Sequence, residues 1–229
     1  MRHPSYAIAD ADLAMLTDLY QLTMLQAYWA EEMQERATFS LYFRRLQATR
    51  SFMLACGQQY AAELATRLHF NDAHLASLAE TGQFREDFLA WLGDWRFTGD
   101  IWTLPEGTPV FENEPFMEVD ATLAEAQLLE SLVMNLVQLE TVIASKAVRV
   151  VLAAGDRSVM DFGLRRMHGI DAAVRGVRAY RTAGLAGTSN VLGGLRHDMS
   201  LSGTIAHSYI LAHDDEEAAF AAFARHYPG

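Results

Sequence analysis

The chain has 229 residues, 51% of them hydrophobic and 21% charged, with a formal net charge of −11. That length can bury a sizeable core in one large domain or two small ones, and the composition excludes a disordered chain. The acidic balance repels nucleic acid and anionic membrane surfaces, so neither is expected as a partner.

The first residues, MRHPSYAIADADLAMLTD, carry acidic groups and no apolar stretch, so no signal peptide is expected. Residues 17–33 read as a helix, with Thr17 or Asp18 able to cap its first turn. Residues 37–45 alternate: Ala37, Phe39, Leu41 and Phe43 fall on one face, which predicts a half-buried strand. Cys56 is the only cysteine, so an internal disulfide and a cysteine-built zinc site are excluded, and a reducing compartment, the cytoplasm, fits. Its simplest role is that of a small buried hydrophobe. Residues 57–92 read as two or three helices, the clearest being 84-FREDFLAWLGDW-95. Pro105, Gly107, Pro109 and Pro115 break 99–119 into short strands or hairpins.

The pattern changes at Thr122. Leu128, Leu129, Leu132, Val133, Leu136 and Leu139 recur at threes and fours. Thr122 and Glu125 form a capping-box signature, and Gly155 stands where a helix should stop, so 122–155 is predicted to be one long, mostly buried helix. A domain boundary is placed just before it, giving 1–120 and 121–229. Beyond Gly155, strands are expected at 158–163, 184–189 and 200–207, and helices at about 171–182, 189–197 and 214–226. Strands alternating with helices imply parallel pairing, and ligands in such folds sit at the C-terminal strand ends. The polar stretches DFGLRR, GTSN and SGTIAHS all fall there. Three such units do not close an eight-stranded barrel. Nowhere do about eighteen apolar residues run together, so no membrane span is expected.

Seven stretches in this order, TDLYQLTM, ERATFSLYFRR, RFTGDIWTLPEGTPVF, ASKAVRVVLAAG, DFGLRRMHG, GTSNVLGG and SGTIAHS, resemble the N-terminal half of nicotinate phosphoribosyltransferase. The similarity runs from about residue 16 to the end, and the family's chains are considerably longer. The resemblance implies an α/β fold of the type II phosphoribosyltransferase kind. An N-terminal α/β domain would be followed by the first strand–helix units of an irregular α/β barrel, incomplete in this chain. It also implies a reaction. Nicotinate attacks phosphoribosyl pyrophosphate through its ring nitrogen, giving nicotinate mononucleotide and pyrophosphate, with Mg²⁺ assisting and ATP hydrolysis coupled through a phosphohistidine. The expected assembly is a homodimer with shared active sites. A nicotinamide or quinolinate phosphoribosyltransferase is the nearest alternative reaction, and a truncated fragment acting only in subunit association is an alternative of another kind.

Each site residue has a use that needs no catalysis. His207 matches the family's phosphorylated histidine; a neutral imidazole is nucleophilic near pH 7, although a hydrogen-bonded structural histidine is the commoner use of that side chain. His207 is expected to end a strand. Arg165 offers a guanidinium able to hold a carboxylate or phosphate bidentately, and the family places it at the nicotinate or ribose-phosphate end of the site. Gly203 and Thr204 bracket the turn before His207 and suit an anionic ligand as well as they suit a plain turn. Tyr20 reads as a core aromatic on its own; the resemblance makes it the tyrosine that stacks on the pyridine ring of the partner's site. Ser189, neutral where an amide-using relative has an aspartate, fits an acid substrate. Asp161 is expected to order a strand end and Arg166 to lie on the surface. His207 and His213 with Asp214 and Asp215 match no usual ligand spacing, so no metal site is assigned.

Overall fold

The computed structural model describes residues 8–228; the first stretch of the expected leaderless N-terminus lies outside them. A 3-10 turn at Asp10–Met15 leads into α1 (Leu19–Ala30). Next come β1 (Arg36–Leu41), β2 (Met53–Leu54), α2 (Gln58–Ala65), α3 (Asp72–Glu80) and α4 (Glu86–Asp94). The strands β3 (Asp100–Thr103), β4 (Pro109–Val110) and β5 (Met117–Thr122) precede α5 (Leu123–Ala154). The remainder is β6 (Met160–Asp161), α6 (Ile170–Thr182), β7 (Gly187–Thr188), α7 (Val191–Arg196), β8 (Ser200–Leu201), α8 (His207–Leu211) and α9 (Glu216–His226).

Two packing units share α5. In the first, β1, β5 and β3 form an antiparallel sheet in that order, and β2 pairs with β4. The predicted alternation holds along β1: Ala37, Phe39 and Leu41 are half-buried between exposed neighbours. The core beneath holds Leu25, Phe88, Leu92 and Met117, all almost inaccessible to water. Burying each such side chain stabilises the fold by about 1.5–3 kcal/mol. In the second unit β6, β7 and β8 form a parallel sheet in chain order, with α6 and α7 as crossovers. Each of these strands is only two residues long, much shorter than the sequence predicts, and among the described residues no barrel closes.

The long helix forms for the expected reasons. Thr122 Oγ1 accepts from the Glu125 amide at 3.4 Å, and Glu125 Oε2 accepts from the Thr122 amide at 3.1 Å. Glu125 Oε1 also accepts from the amide and hydroxyl of Thr98, tying the helix start to the entry of β3. The helix stops at Gly155, whose φ is 61°. Over 32 residues it spans about 48 Å. One side packs on α1, α2, β1 and β5, and another packs on α6.

Charge fastens that second contact. Glu140 of α5 is fully buried and takes Arg175 Nε on Oε1 at 3.0 Å and Arg178 of α6 on Oε2. Arg178 reaches on to Glu106, which accepts the amides of Gly57 and Gln59 at the start of α2. Burial pulls the Arg178 guanidinium down, yet the carboxylates of Glu106 and Glu140 hold it above its ordinary value. Cys56 is buried against this cluster, with Sγ 3.7 Å from Glu140 Oε2 and 3.6 Å from Thr182 Oγ1. Burial and the Glu140 charge push its thiol up to about 12. It is the small buried group expected of it.

Candidate active site

The C-terminal ends of β6 and β7 are held together by one buried carboxylate, and a main-chain bond ties β8 to β7. Asp161, which closes β6, accepts from the Gly163 amide at 2.7 Å and from Thr188 Oγ1 at 2.7 Å, one on each oxygen. Its carbonyl takes the Ser189 amide at 2.8 Å. Thr188 Oγ1 in turn accepts from the Asn190 amide at 3.1 Å, and the Thr188 carbonyl takes the Ser202 amide at 3.0 Å. Asn190 caps α7 by accepting from the Gly193 amide, and its Nδ2 donates to the Ala173 carbonyl on α6. These hydrogen bonds continue the sheet beyond its short ladders and set the directions in which the three loops leave. Asp161 is thus structural, as expected. Tyr180 of α6 stands behind it, and burial first, then the Asp161 charge, raises its phenol above the ordinary value.

Gly187 is needed where it stands. A Cβ there would meet the Ser200 carbonyl oxygen at 2.7 Å and Met160 Sδ at 2.8 Å, so only glycine lets three strands lie this close. Gly203 is different: a Cβ there would meet nothing within 4 Å, and its φ is not in the left-handed region. No crowding by this chain demands glycine at 203.

The topology brings most of the expected residues to one end of the sheet. Arg165 lies in a 3-10 turn (Leu164–Arg166) just past β6, exposed, and no hydrogen bond or ion pair engages its guanidinium among the described residues. Ser189 follows β7, half-buried. Gly203 and Thr204 follow β8 and are exposed, as is His207. Of the expected strand over 200–207 only Ser200–Leu201 is formed. β8 stops at Leu201, because its one partner is β7 and the last main-chain bond is the one from Ser202 to Thr188. His207 is therefore not the end of a strand but the first residue of α8, a helix the sequence reading missed, with Ala206 at the cap position. Arg166 is on the surface, as expected.

Tyr20 is not among the strand-tip residues. It sits on α1, 46% exposed, and its hydrogen bonds go to Gln21 and Glu130. The side chains of Thr188 and Asn190 were passed over in the sequence, although asparagine ahead of a helix is a readable cap signal. The Glu140–Arg178–Glu106 cluster also left a trace: an acid on the apolar stripe of one helix, and arginines three apart on another.

The tips thus offer an exposed cation, several hydroxyls and an exposed imidazole on a base tied together by the hydrogen bonds of Asp161, Thr188 and Asn190. Such a set can hold a small anion and present a nucleophilic nitrogen to it. Among the described residues no three His, Cys, Asp or Glu side chains stand close enough to hold a metal ion, and both oxygens of Asp161 are already engaged.

Comparison with known proteins bears on the fold and the family. Residues 15–138 match the model of the nicotinate phosphoribosyltransferase (NAPRTase) N-terminal domain. A nicotinate phosphoribosyltransferase of Mycobacterium tuberculosis is 49% identical over 215 residues, covering 94% of this chain and 46% of that protein. One from Bacillus subtilis is 40% identical over 220 residues, covering 96% of this chain and 45% of that protein. The crystal structure of human nicotinic acid phosphoribosyltransferase superposes with a TM-score of 0.78 at 32% identity, covering 86% of this chain and 40% of that one. Nicotinate-nucleotide pyrophosphorylase from Pyrococcus furiosus superposes with a TM-score of 0.77 at 20% identity, covering 96% of this chain and 50% of that one, a likeness that bears on the fold alone. The chain spans about half the length of the curated relatives it matches. With its α/β architecture and family match, this chain belongs to the nicotinate phosphoribosyltransferase family.

Proposed function

We propose that the protein to which these residues belong makes nicotinate mononucleotide and pyrophosphate from nicotinate and phosphoribosyl pyrophosphate, coupled to ATP hydrolysis, in the cytoplasm. The observation that carries this reading is the gathering of Arg165, Ser189, Thr204 and His207 at the C-terminal end of one parallel sheet. Arg165 holds an anionic oxygen of the pyridine substrate or the sugar phosphate, and Thr204, beside Gly203, donates to the same ligand. Neutral Ser189 leaves the substrate carboxylate unopposed. An imidazole nitrogen of His207 attacks the γ-phosphorus of ATP, the bond to the bridging oxygen breaks, and ADP leaves with that oxygen. Mg²⁺ would supply charge neutralisation to the phosphate groups of the substrates; among the described residues no cluster of three His, Cys, Asp or Glu side chains would hold it. The protein acts as a homodimer with shared sites, and Tyr20 lays its ring against the pyridine of the partner's site.

The test uses the complete gene product. Incubation with γ-labelled ATP is expected to leave acid-labile, base-stable label on the peptide containing residues 202–210, and His207→Asn should abolish that label and the ATP coupling while slow uncoupled transfer persists. Label on another peptide, or coupling that survives the substitution, refutes the assignment. Arg165→Ala is expected to weaken use of nicotinate or phosphoribosyl pyrophosphate by about tenfold to a hundredfold, with ATP hydrolysis far less affected. Turnover of nicotinamide equal to that of nicotinate counts against the substrate.

A further inference from the structure

Part of the contact between α1 and α5 is polar. Gln21 is fully buried and Gln127 nearly so, at 8% exposure. Gln21 Nε2 donates to the Tyr20 hydroxyl at 2.8 Å and to Glu130 Oε2 at 3.0 Å. Gln127 Nε2 donates to Gln21 Oε1 at 2.5 Å and to Glu130 Oε2 at 2.9 Å. The Tyr20 hydroxyl donates its own proton toward Glu130 Oε2 at 3.4 Å. Nearby, Ser131 Oγ donates to Asp18 at 2.6 Å, pinning the first turn of α1 to the same stretch of α5.

Donor accounting makes this arrangement directional. A carboxylate only accepts, so the amide nitrogens of Gln21 and Gln127 must both face Glu130. That leaves the Gln21 oxygen for Gln127 and the second Gln21 proton for the phenol. Both roles of the Tyr20 hydroxyl, accepting and donating, are used inside its own chain. What Tyr20 still offers to a ligand is the face of its ring. A buried polar network of this kind is costly beside apolar packing, and it holds one geometry rather than many.

We propose that Gln21, Gln127 and Glu130 are positioning residues for Tyr20: they hold its hydroxyl so that the ring face alone, in a fixed direction, is presented to the pyridine of nicotinate. This rests on the reading that Tyr20 completes the partner's site, and it adds to that reading which part of the tyrosine does so and what aims it. The phenol's raised pKa agrees, its causes being desolvation first and then the charges of Glu130 and Asp18.

The experiment has a substrate-free arm and a kinetic arm, both on the complete gene product. In the first, the tyrosinate absorbance of Tyr20, taken as the difference between the parent and Tyr20→Phe, is titrated with base. Glu130→Gln should move that step to lower pH, since it removes the charge and keeps the shape; an unmoved step overturns the cradle itself. In the second, Glu130→Ala should raise the nicotinate KM about three- to tenfold with kcat within about twofold, the range of one lost hydrogen bond. Glu130→Gln should restore most of the loss. In a Tyr20→Phe background Glu130→Ala should add nothing, because the link it serves is already gone. Effects that multiply in that background, or a failure of Glu130→Gln to rescue, would show a general structural role and overturn the proposal. If the titration shifts but Tyr20→Ala leaves the nicotinate KM unchanged, the role proposed for Tyr20 in binding falls, and the aiming role with it, while the hydrogen-bonded cradle stands.

Discussion

The first packing unit buries Phe88, Leu25, Leu92 and Met117 under a three-stranded sheet, and apart from the glutamines between α1 and α5 large apolar side chains fill it. The second buries Ala144, Ala147, Ala179 and Ala183 where α5 meets α6, and completes the contact with Glu140, Arg175 and Arg178. Large side chains close a core by volume. Alanines let two helices approach and leave little apolar area, so charge and hydrogen bonding must fix how they meet. The candidate active site is built on the second kind of structure. Its strand tips are ordered by Asp161 and Thr188 rather than by long ladders.

Three measurements bear on that contrast. The largest effect is expected from Glu140→Ala, which leaves two arginines facing each other without their carboxylate. Breaking one side of a buried ionic network costs about 3–5 kcal/mol, measurable by denaturant unfolding, and hydrogen exchange should rise across α6 before it rises in β1 and β5. A loss spread evenly over both units would mean that they do not differ in this way. Thr188→Val comes next. It keeps the shape of the side chain and removes the donor to Asp161, leaving one carboxylate oxygen bare; about 1–3 kcal/mol is expected, with exchange of the Asn190 and Ser202 amides accelerated. Unchanged protection at those amides would place the ordering of the tips elsewhere.

The smallest effect is one of pH. His197, at the end of α7, is held below its usual value of 6.5 by burial first and by the Arg178 charge second. The folded state therefore prefers it neutral. Its contribution is present above pH 6.5 and is lost as pH falls through the lower, folded value. Thermal unfolding followed downward from neutral pH should show a decline that His197→Asn makes shallower. An identical slope in the variant would remove His197 from the account.

The fold was legible where one strong periodic signal ran uninterrupted. The capping box at Thr122 and the stop at Gly155 placed α5 to within a residue, because local rules and burial agree there. The strands beyond it were overdrawn: 158–163, 184–189 and 200–207 each shrank to two residues. Apolar, β-branched and small residues mark a strand only where a neighbour supplies the ladder, and that neighbour is not a local property of the sequence. His207 was misplaced for the same reason, a helix start being read as a strand end. Arg165, Thr204 and His207 were legible as residues of the loops past the strand ends through the motifs around them. Gln127 and Glu130 were not, since their partner Gln21 lies more than a hundred positions away.

Cys56 gives the joint between the two units its own clock. Its sulfur is the only thiol in the chain and is fully enclosed beside Glu140, Thr182 and Arg178. A thiol pushed up to about 12 is also almost wholly protonated at neutral pH, so while the joint is shut it is doubly protected from alkylating reagents. Modification must wait for the packing around Cys56 to open, and in the opened state the thiol regains its ordinary reactivity. The labelling rate of this one atom, compared with that of a free model thiol, therefore reports the fraction of time the joint stands open, with no probe added to the protein.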